Sequence, residues 1–357
     1  MRTTRIGGLI VAASFLIAAC ADDGGQQPNT PAATQPAAAP TTSGTSLTTS
    51  TPATLPGPTT TLPEPTTSLS PPTTSLPPTT TGGTDTIGTD PVDQADAGYY
   101  LAIGDSYAVG YLVGVGPSTD GFVDGVVEGA ADAGRPLQLV NVGCSGATTA
   151  SLIGVAGCAA DSLAPGAAPY DSITQIDAAV EFLEAHPGEV ALITVSIGGN
   201  DVIPCAITGA ELVACVTTAT ATVVANLETA LSRIRAAAPD ALIVGTTYPD
   251  IALGAWVTTF PGAKQRATES VVAFRDVINP ALRDTYAAAG GRFVDVTEAT
   301  GGYGSLDETT VLDPYGEVPT PVAQVCTLTA FCSNFDIHPT VEGYAIIADL
   351  VLAEYLA

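Results

Sequence analysis

Five short apolar runs, spaced along the chain from Tyr99 onward with helical patterns between them, limit what it can fold into. They cover 99–103, 137–142, 190–197, 241–246 and 292–296, and the first three run into Gly104, Gly143 and Gly198-Gly199. Runs that are apolar without alternation belong to strands buried on both faces, as in a parallel sheet. Between them, apolar residues recur at helical spacing. Ile173, Ile176, Val180 and Leu183 share one face of 172–185, which His186-Pro187-Gly188 stops, and Leu227, Leu231 and Ile234 share one face of 211–238, before Pro239. The same pattern fills 263–289 ahead of Gly290-Gly291, and 341–356 closes the chain. This alternation predicts one α/β domain over 97–357, a three-layer α/β/α sandwich around a mainly parallel sheet of about five strands. Ligands in such sheets bind outside the carboxyl ends of the strands, so the chemistry is sought there.

The residues before the domain have a different character. Arg2 and Arg5 precede a short apolar stretch, 6–16, that ends in Ile17-Ala18-Ala19-Cys20. A basic start, a short apolar segment and small residues before a cysteine predict a lipoprotein signal peptide over 1–20, with Cys20 as the lipidated residue. The stretch is too short to span a bilayer as a mature helix. Residues 21–96 are rich in Thr, Pro, Ala and Ser without apolar periodicity. Such a composition cannot bury enough surface to offset ordering, so a disordered linker is expected. Its reading is a spacer that holds an exported domain away from the membrane to which Cys20 anchors it.

Cysteine usage agrees with export. Of the seven cysteines, Cys20 is set aside, leaving Cys144, Cys158, Cys205, Cys215, Cys326 and Cys332. An even number in an oxidising compartment predicts three disulfides, and closeness in sequence favours 144–158, 205–215 and 326–332 among about 15 pairings. With two histidines and no CxxC pair, a metal centre is not expected. The balance of 10 Lys and Arg against 36 Asp and Glu gives a net charge of -26. A surface this acidic repels phosphate backbones, which argues against nucleic-acid partners.

Unusual residues gather where the fold places a site. Gly104-Asp105-Ser106-Tyr107 follows the first strand, Gly143-Cys144-Ser145-Gly146 the second, and Gly198-Gly199-Asn200-Asp201 the third, while Asp336-Ile337-His338-Pro339 stands near the C-terminus. Acyl transfer needs a nucleophile, a proton acceptor and donors for a developing oxyanion, and these residue types can supply all three. The ordered set resembles the blocks of the SGNH (GDSL-type) hydrolase family, and the resemblance covers the whole domain. It implies an SGNH/flavodoxin-like fold and a serine esterase or lipase without cofactor, acting as a monomer on a small-molecule or lipid ester. Carried onto this sequence, it implies Ser106 as nucleophile and His338 as base. It also implies an oxyanion hole from the backbone N–H groups of Ser106 and Gly146 and the side-chain amide of Asn200.

One position departs from the family pattern. The family's aspartate usually lies three residues before the histidine, where this chain has Phe335, and Asp336 lies two before. Either Asp336 orients His338 from a tighter loop, the reading favoured, or a backbone carbonyl does so. Asp105 and Asp201 read as turn residues bonding their own backbone, and His186 as a helix-end residue. The apolar loop 248–262, with Leu253, Trp256, Val257 and Phe260, and the aperiodic connection 301–331 are expected to border the site. A carbohydrate O-acetyl esterase on the same residues and a non-catalytic wall-binding lipoprotein are the alternatives. A metallophosphoesterase lacks the histidines it would need.

Overall fold

A computed structural model describes residues 97–207 and 211–357. The expected signal peptide, Cys20 and the 21–96 linker lie outside the described residues. Five parallel strands form the sheet: β1 (Gly98–Gly104), β2 (Leu137–Asn141), β3 (Val190–Ser196), β4 (Leu242–Thr246) and β5 (Arg292–Val294). Their spatial order is β2-β1-β3-β4-β5. The chain therefore leaves β1 to one side for β2 and returns to its other side for β3. The direction of winding reverses at β1, and the crevice beyond the carboxyl ends of β1 and β3 is the topological switch point of the sheet.

Helices cover both faces: α1 (Phe122–Asp132), α2 (Thr149–Gly154), α3 (Gln175–Ala185), α4 (Gly199–Ile207), α5 (Leu212–Ala237), α6 (Ala263–Ala273), α7 (Asn279–Ala288), α8 (Val296–Ala299), α9 (Thr320–Leu328), α10 (Phe331–Asn334) and α11 (Val341–Leu356). Because successive strand residues point to opposite faces, β1 divides itself between two cores. Leu101 and Ile103 join Ile176, Leu183, Leu227, Leu231 and Ile234 on the side of α3 and α5. Tyr100 and Ala102 join Phe122, Val126, Tyr344, Ile347 and Val351 on the side of α1 and α11. Complete burial on both faces explains why β1 reads as an unbroken apolar run. Helix α5 is long and apolar enough to cross a membrane by length and composition, but Val216, Val223, Leu227, Leu231 and Ile234 are buried at helical spacing on the first core.

Three differences from the sequence reading affect the site. The helix expected over 263–289 is interrupted by a π-helical turn, Phe274–Ile278, directly before α7, where Pro280 lies in the first turn. Proline has no N–H for the helical ladder, and the wider turn carries the chain across that break. The run at 292–296 is shorter as a strand, since Asp295 caps α8 by accepting from the Glu298 N–H. The connection 301–331 is not aperiodic: it contains an antiparallel hairpin, β6 (Thr309–Leu312) and β7 (Gly316–Pro319), and then α9. All three cysteine pairs favoured by closeness, Cys144–Cys158, Cys205–Cys215 and Cys326–Cys332, are bonded.

Candidate active site

Ser106 sits two residues beyond the end of β1, on a turn held from several sides. Gly104 can approach β3 only without a side chain, because a Cβ there would lie 2.1 Å from the Ser196 carbonyl oxygen. The buried Gln175, at the start of α3, clamps the Gly104 peptide. It accepts from the Gly104 N–H at 3.1 Å and donates to the Gly104 carbonyl at 2.9 Å. Beyond the glycine, Asp105 Oδ1 accepts from the Tyr107 N–H at 3.0 Å, and Asp105 Oδ2 accepts from the Tyr248 hydroxyl at 2.7 Å. Burial pushes the Asp105 carboxyl up to about 6, against these hydrogen bonds. Burial and the nearby Asp105 charge push the Tyr107 and Tyr248 phenols well above their ordinary range, so both act as donors. Ser106 itself is 4% exposed.

His338 follows α10 on a short loop. Asp336 Oδ1 lies 2.5 Å from His338 Nδ1 and also accepts from the His338 backbone N–H at 3.0 Å. Partial burial raises the Asp336 carboxyl, but the hydrogen bonds and charge of His338 outweigh it and hold the group below its usual range. The Tyr107 hydroxyl donates to the Ile337 carbonyl at 2.8 Å, tying the residue after Ser106 to the residue before His338. The Tyr111 ring lies against the His338 ring, centroids 4.2 Å apart and planes tilted by 33°. The Tyr111 N–H donates to the Ser106 carbonyl at 3.0 Å. The serine turn and the histidine loop, about 230 residues apart in sequence, are thus joined by direct contacts.

Gly146 follows β2 with φ +82°, a left-handed conformation that favours glycine. Asn200 stands in the first turn of α4, its Nδ2 donating to the Ala147 carbonyl at 2.9 Å, which leaves its second N–H available. Among the described residues, neither the Ser106 N–H nor the Gly146 N–H donates to a protein acceptor. Asp105 bonds its own turn, as expected, but Asp201 reaches across to α2 instead. Its carboxylate accepts from the Thr149 N–H at 2.9 Å and the Thr149 hydroxyl at 2.6 Å. His186 ends α3, where Nδ1 meets the Phe182 carbonyl at 2.9 Å.

A pocket of about 680 Å³, counted with the space open to solvent, has Ser106, Asn200 and Ile337 in its lining. The rest is almost wholly apolar: Val202 and Ile203 from α4, Leu212 and Val216 from α5, and Phe274 and Ile278 from the π-helical turn. The expectation for the neighbouring loops holds only in part. Tyr248, Pro249, Ile251 and Ala252 line the pocket. Leu253, Trp256 and Val257 instead pack with Val322 and Val325 of α9 in a separate core, and 301–331 supplies none of the lining. Gln175 and Tyr111 carried no sequence signal of a role here; Tyr107 stood in the serine block and Tyr248 at the start of a loop expected at the site, but the remote partners of their hydroxyls, Ile337 and Asp105, were not legible.

No curated protein sequence matches the chain. Among solved structures, the extracellular lipase from Streptomyces rimosus is 22% identical with a TM-score of 0.42, covering 72% of this chain and 100% of its own. Phospholipase A1 from Streptomyces albidoflavus NA297 is 20% identical with a TM-score of 0.43, covering 73% and 100%. A psychrotrophic esterase from Pseudoalteromonas sp. is 12% identical with a TM-score of 0.37, covering 72% and 96%. The sequence profile of the GDSL-like lipase/acylhydrolase family matches residues 102–346. That match runs from within β1 to within α11 and takes in every block of the site. The chain therefore belongs to the GDSL-like lipase/acylhydrolase family and is an ester hydrolase.

Proposed function

We propose that the domain hydrolyses carboxylic esters with apolar acyl chains, through a covalent acyl-enzyme on Ser106. The Ser106 oxygen attacks the ester carbonyl carbon while His338 takes the hydroxyl proton at Nε2, Nδ1 being engaged by Asp336. The carbonyl π electrons move to oxygen, and this oxyanion accepts from the N–H groups of Ser106 and Gly146 and from Asn200 Nδ2. Collapse breaks the bond to the alcohol oxygen, which takes the proton from the imidazolium. Water then attacks the acyl-enzyme, giving its proton to His338, and the acid leaves as Ser106 recovers its hydrogen.

The observation that carries this reading is the apolar pocket whose lining includes both Ser106 and Asn200. A preference for acyl chains longer than acetate follows, because each methylene buried there contributes about 0.8 kcal/mol. The test is kcat/KM on p-nitrophenyl esters from acetate to dodecanoate, beside acetylated xylan, for wild type and Ser106→Ala. We expect rates that rise beyond acetate and a loss on the order of 10⁶ in kcat for the variant. Release of acetate from xylan with no gain from longer chains would favour the O-acetyl esterase instead. The same proposal has the enzyme act outside the cell, anchored through lipidated Cys20. The basic start, the Ile17-Ala18-Ala19-Cys20 sequence and the three disulfides support it. Cys20→Ala should abolish labelling by a fatty-acid probe in the producing cell.

A further inference from the structure

Helix α5 carries a buried hydroxyl that the protein itself does not use. Thr220 is 4% exposed, and its Oγ1 has no hydrogen-bond partner among the described residues. A threonine inside a helix can return its hydroxyl to the carbonyl four residues earlier. Thr217, Thr218 and Thr229 of the same helix do so, toward Val213, Ala214 and Ala225 at 2.7, 3.2 and 3.1 Å, whereas Thr220 makes no such bond. A buried hydroxyl without a partner costs stability, and valine would fill nearly the same space without that cost.

The place of Thr220 suggests a partner. Leu212, Val216 and Thr220 follow one another at four-residue spacing, so they share one face of α5. The first two line the pocket that contains Ser106, and Thr220 lines a smaller chamber of about 290 Å³ beside it, counted with the space open to solvent. Val202, Tyr248, Phe274 and Ile278 line both spaces. Ile197, just beyond β3, and Val223 of α5 are among the other walls of the chamber, which has free room for about one water-sized group. The other polar side chain in its lining is Tyr248, whose hydroxyl donates to Asp105 at 2.7 Å. Thr220 is therefore the one uncommitted polar side chain among the residues that line the chamber.

A plain hydrocarbon chain offers that hydroxyl nothing, whereas a chain bearing a hydroxyl offers it both a donor and an acceptor. Resting on the acyl-enzyme mechanism proposed above, the geometry points to hydroxyl-bearing acyl chains as substrates of this pocket, with the chain's hydroxyl seated in the side chamber and hydrogen-bonded to Thr220 Oγ1. The remaining methylenes lie along the apolar walls. A single hydroxyl matches the room in the chamber, and a carboxylate or an amide exceeds it.

The test compares kcat/KM on ethyl octanoate with that on ethyl 3-, 6- and 8-hydroxyoctanoate, which move the hydroxyl along one chain. Wild type should cleave at least one hydroxy ester as well as octanoate or better, because a hydroxyl buried in this pocket without a partner would slow the reaction. In Thr220→Val the ratio of that ester to octanoate should fall about tenfold, the size of one buried hydrogen bond. Thr220→Ser, which keeps the hydroxyl, should hold the ratio within about threefold of wild type. Thermal unfolding should show Thr220→Val at least as stable as wild type. A wild type that cleaves octanoate well and every hydroxy ester poorly overturns the proposal without any variant. An unchanged ratio in Thr220→Val also overturns it, and so does equal slowing on both esters, because Thr220 would then only support the packing of α5. A wild type that cleaves none of the four esters would sink the ester-hydrolase mechanism itself, and the two failures are thereby told apart.

Discussion

Replacing Asp336 with asparagine and with alanine separates the parts of its contact with His338. One carboxylate oxygen accepts from both the ring Nδ1 and the backbone N–H of His338, at 2.5 and 3.0 Å. In Asp336→Asn, the backbone N–H demands an acceptor, so it holds the amide oxygen in that place and turns the amide nitrogen away. The same oxygen then still accepts from Nδ1, and the tautomer with a free Nε2 is kept. What is lost is charge. A hydrogen bond to an ionised partner contributes about 1.5–3 kcal/mol and a neutral one about 0.5–1.5, a difference of roughly 1.4 kcal/mol or about tenfold in kcat. Asp336→Ala removes both the charge and the acceptor that fixes the ring, and should cost on the order of 10³–10⁴. The assay is kcat on p-nitrophenyl butyrate at fixed pH for all three proteins, with unfolding curves to confirm the fold. If the asparagine variant is as slow as the alanine one, the amide nitrogen faces the ring and the backbone N–H of His338 does not set its orientation. If the alanine variant loses less than tenfold, Asp336 does not orient the histidine.

Other outcomes follow from the same geometry. Asn200→Ala should lower kcat on the order of 10²–10³ with little change in KM; a pure KM effect would make Asn200 a ground-state contact. Ala206→Phe, on the pocket wall, should depress kcat/KM on dodecanoate far more than on acetate, and equal losses would move the acyl chain elsewhere. Stability should fall as pH rises from 5 to 8. Burial raises the folded-state carboxyls of Asp105 to about 6 and Asp250 to about 7, so the native state holds their protons where the unfolded chain has lost them. Asp336, held below its usual range, acts oppositely: its contribution is present above the ordinary carboxylate pKa and is lost as pH falls through its lowered one. A denaturation midpoint that climbs from pH 5 to pH 8 would refute the pair of buried acids.

The central strands were legible because burial on both faces leaves an unmistakable record, as in Tyr100 to Ile103, and glycines marked the carboxyl ends of the first three, whereas the edge strands β2 and β5 are only part-buried. Other elements were hidden by the contacts that make them necessary. Helix α1 contains Gly125, a poor helix former, where an added Cβ would lie 3.0 Å from the Ala348 Cβ of α11, so the two helices pack closely at this point. Its low propensity locally is the condition for close packing globally. The break at Phe274–Ile278 follows from a proline that reads, in isolation, as one residue in a helical pattern. The site's polar residues were visible by type and order, since glycine-flanked strand ends expose few side chains. The pocket was not, because its walls come from α4, α5 and the π-helical turn, whose apolar residues look the same whether they face a core or a ligand. The spacing of Asp336 left two orienting groups open, since the number of residues in a loop does not determine where a carboxylate points.

Helix α4 carries two duties within nine residues. Asn200, the proposed oxyanion donor, lies in its first turn, and Val202, Ile203 and Ala206 line the pocket further along, while Cys205 staples it to Cys215 of α5. On the proposed mechanism, rate and chain-length preference therefore share one rigid body. A substitution that shifts this helix to admit a different acyl chain would also shift the Asn200 amide, the proposed oxyanion donor. Diversification of substrate range, in nature or in a laboratory library, has freer ground on the opposite wall. There Ala252, Ala273, Phe274 and Ile278 border the same space without holding any of the proposed reacting groups. Variants selected for new chain lengths should concentrate on that wall, with α4 left nearly unchanged.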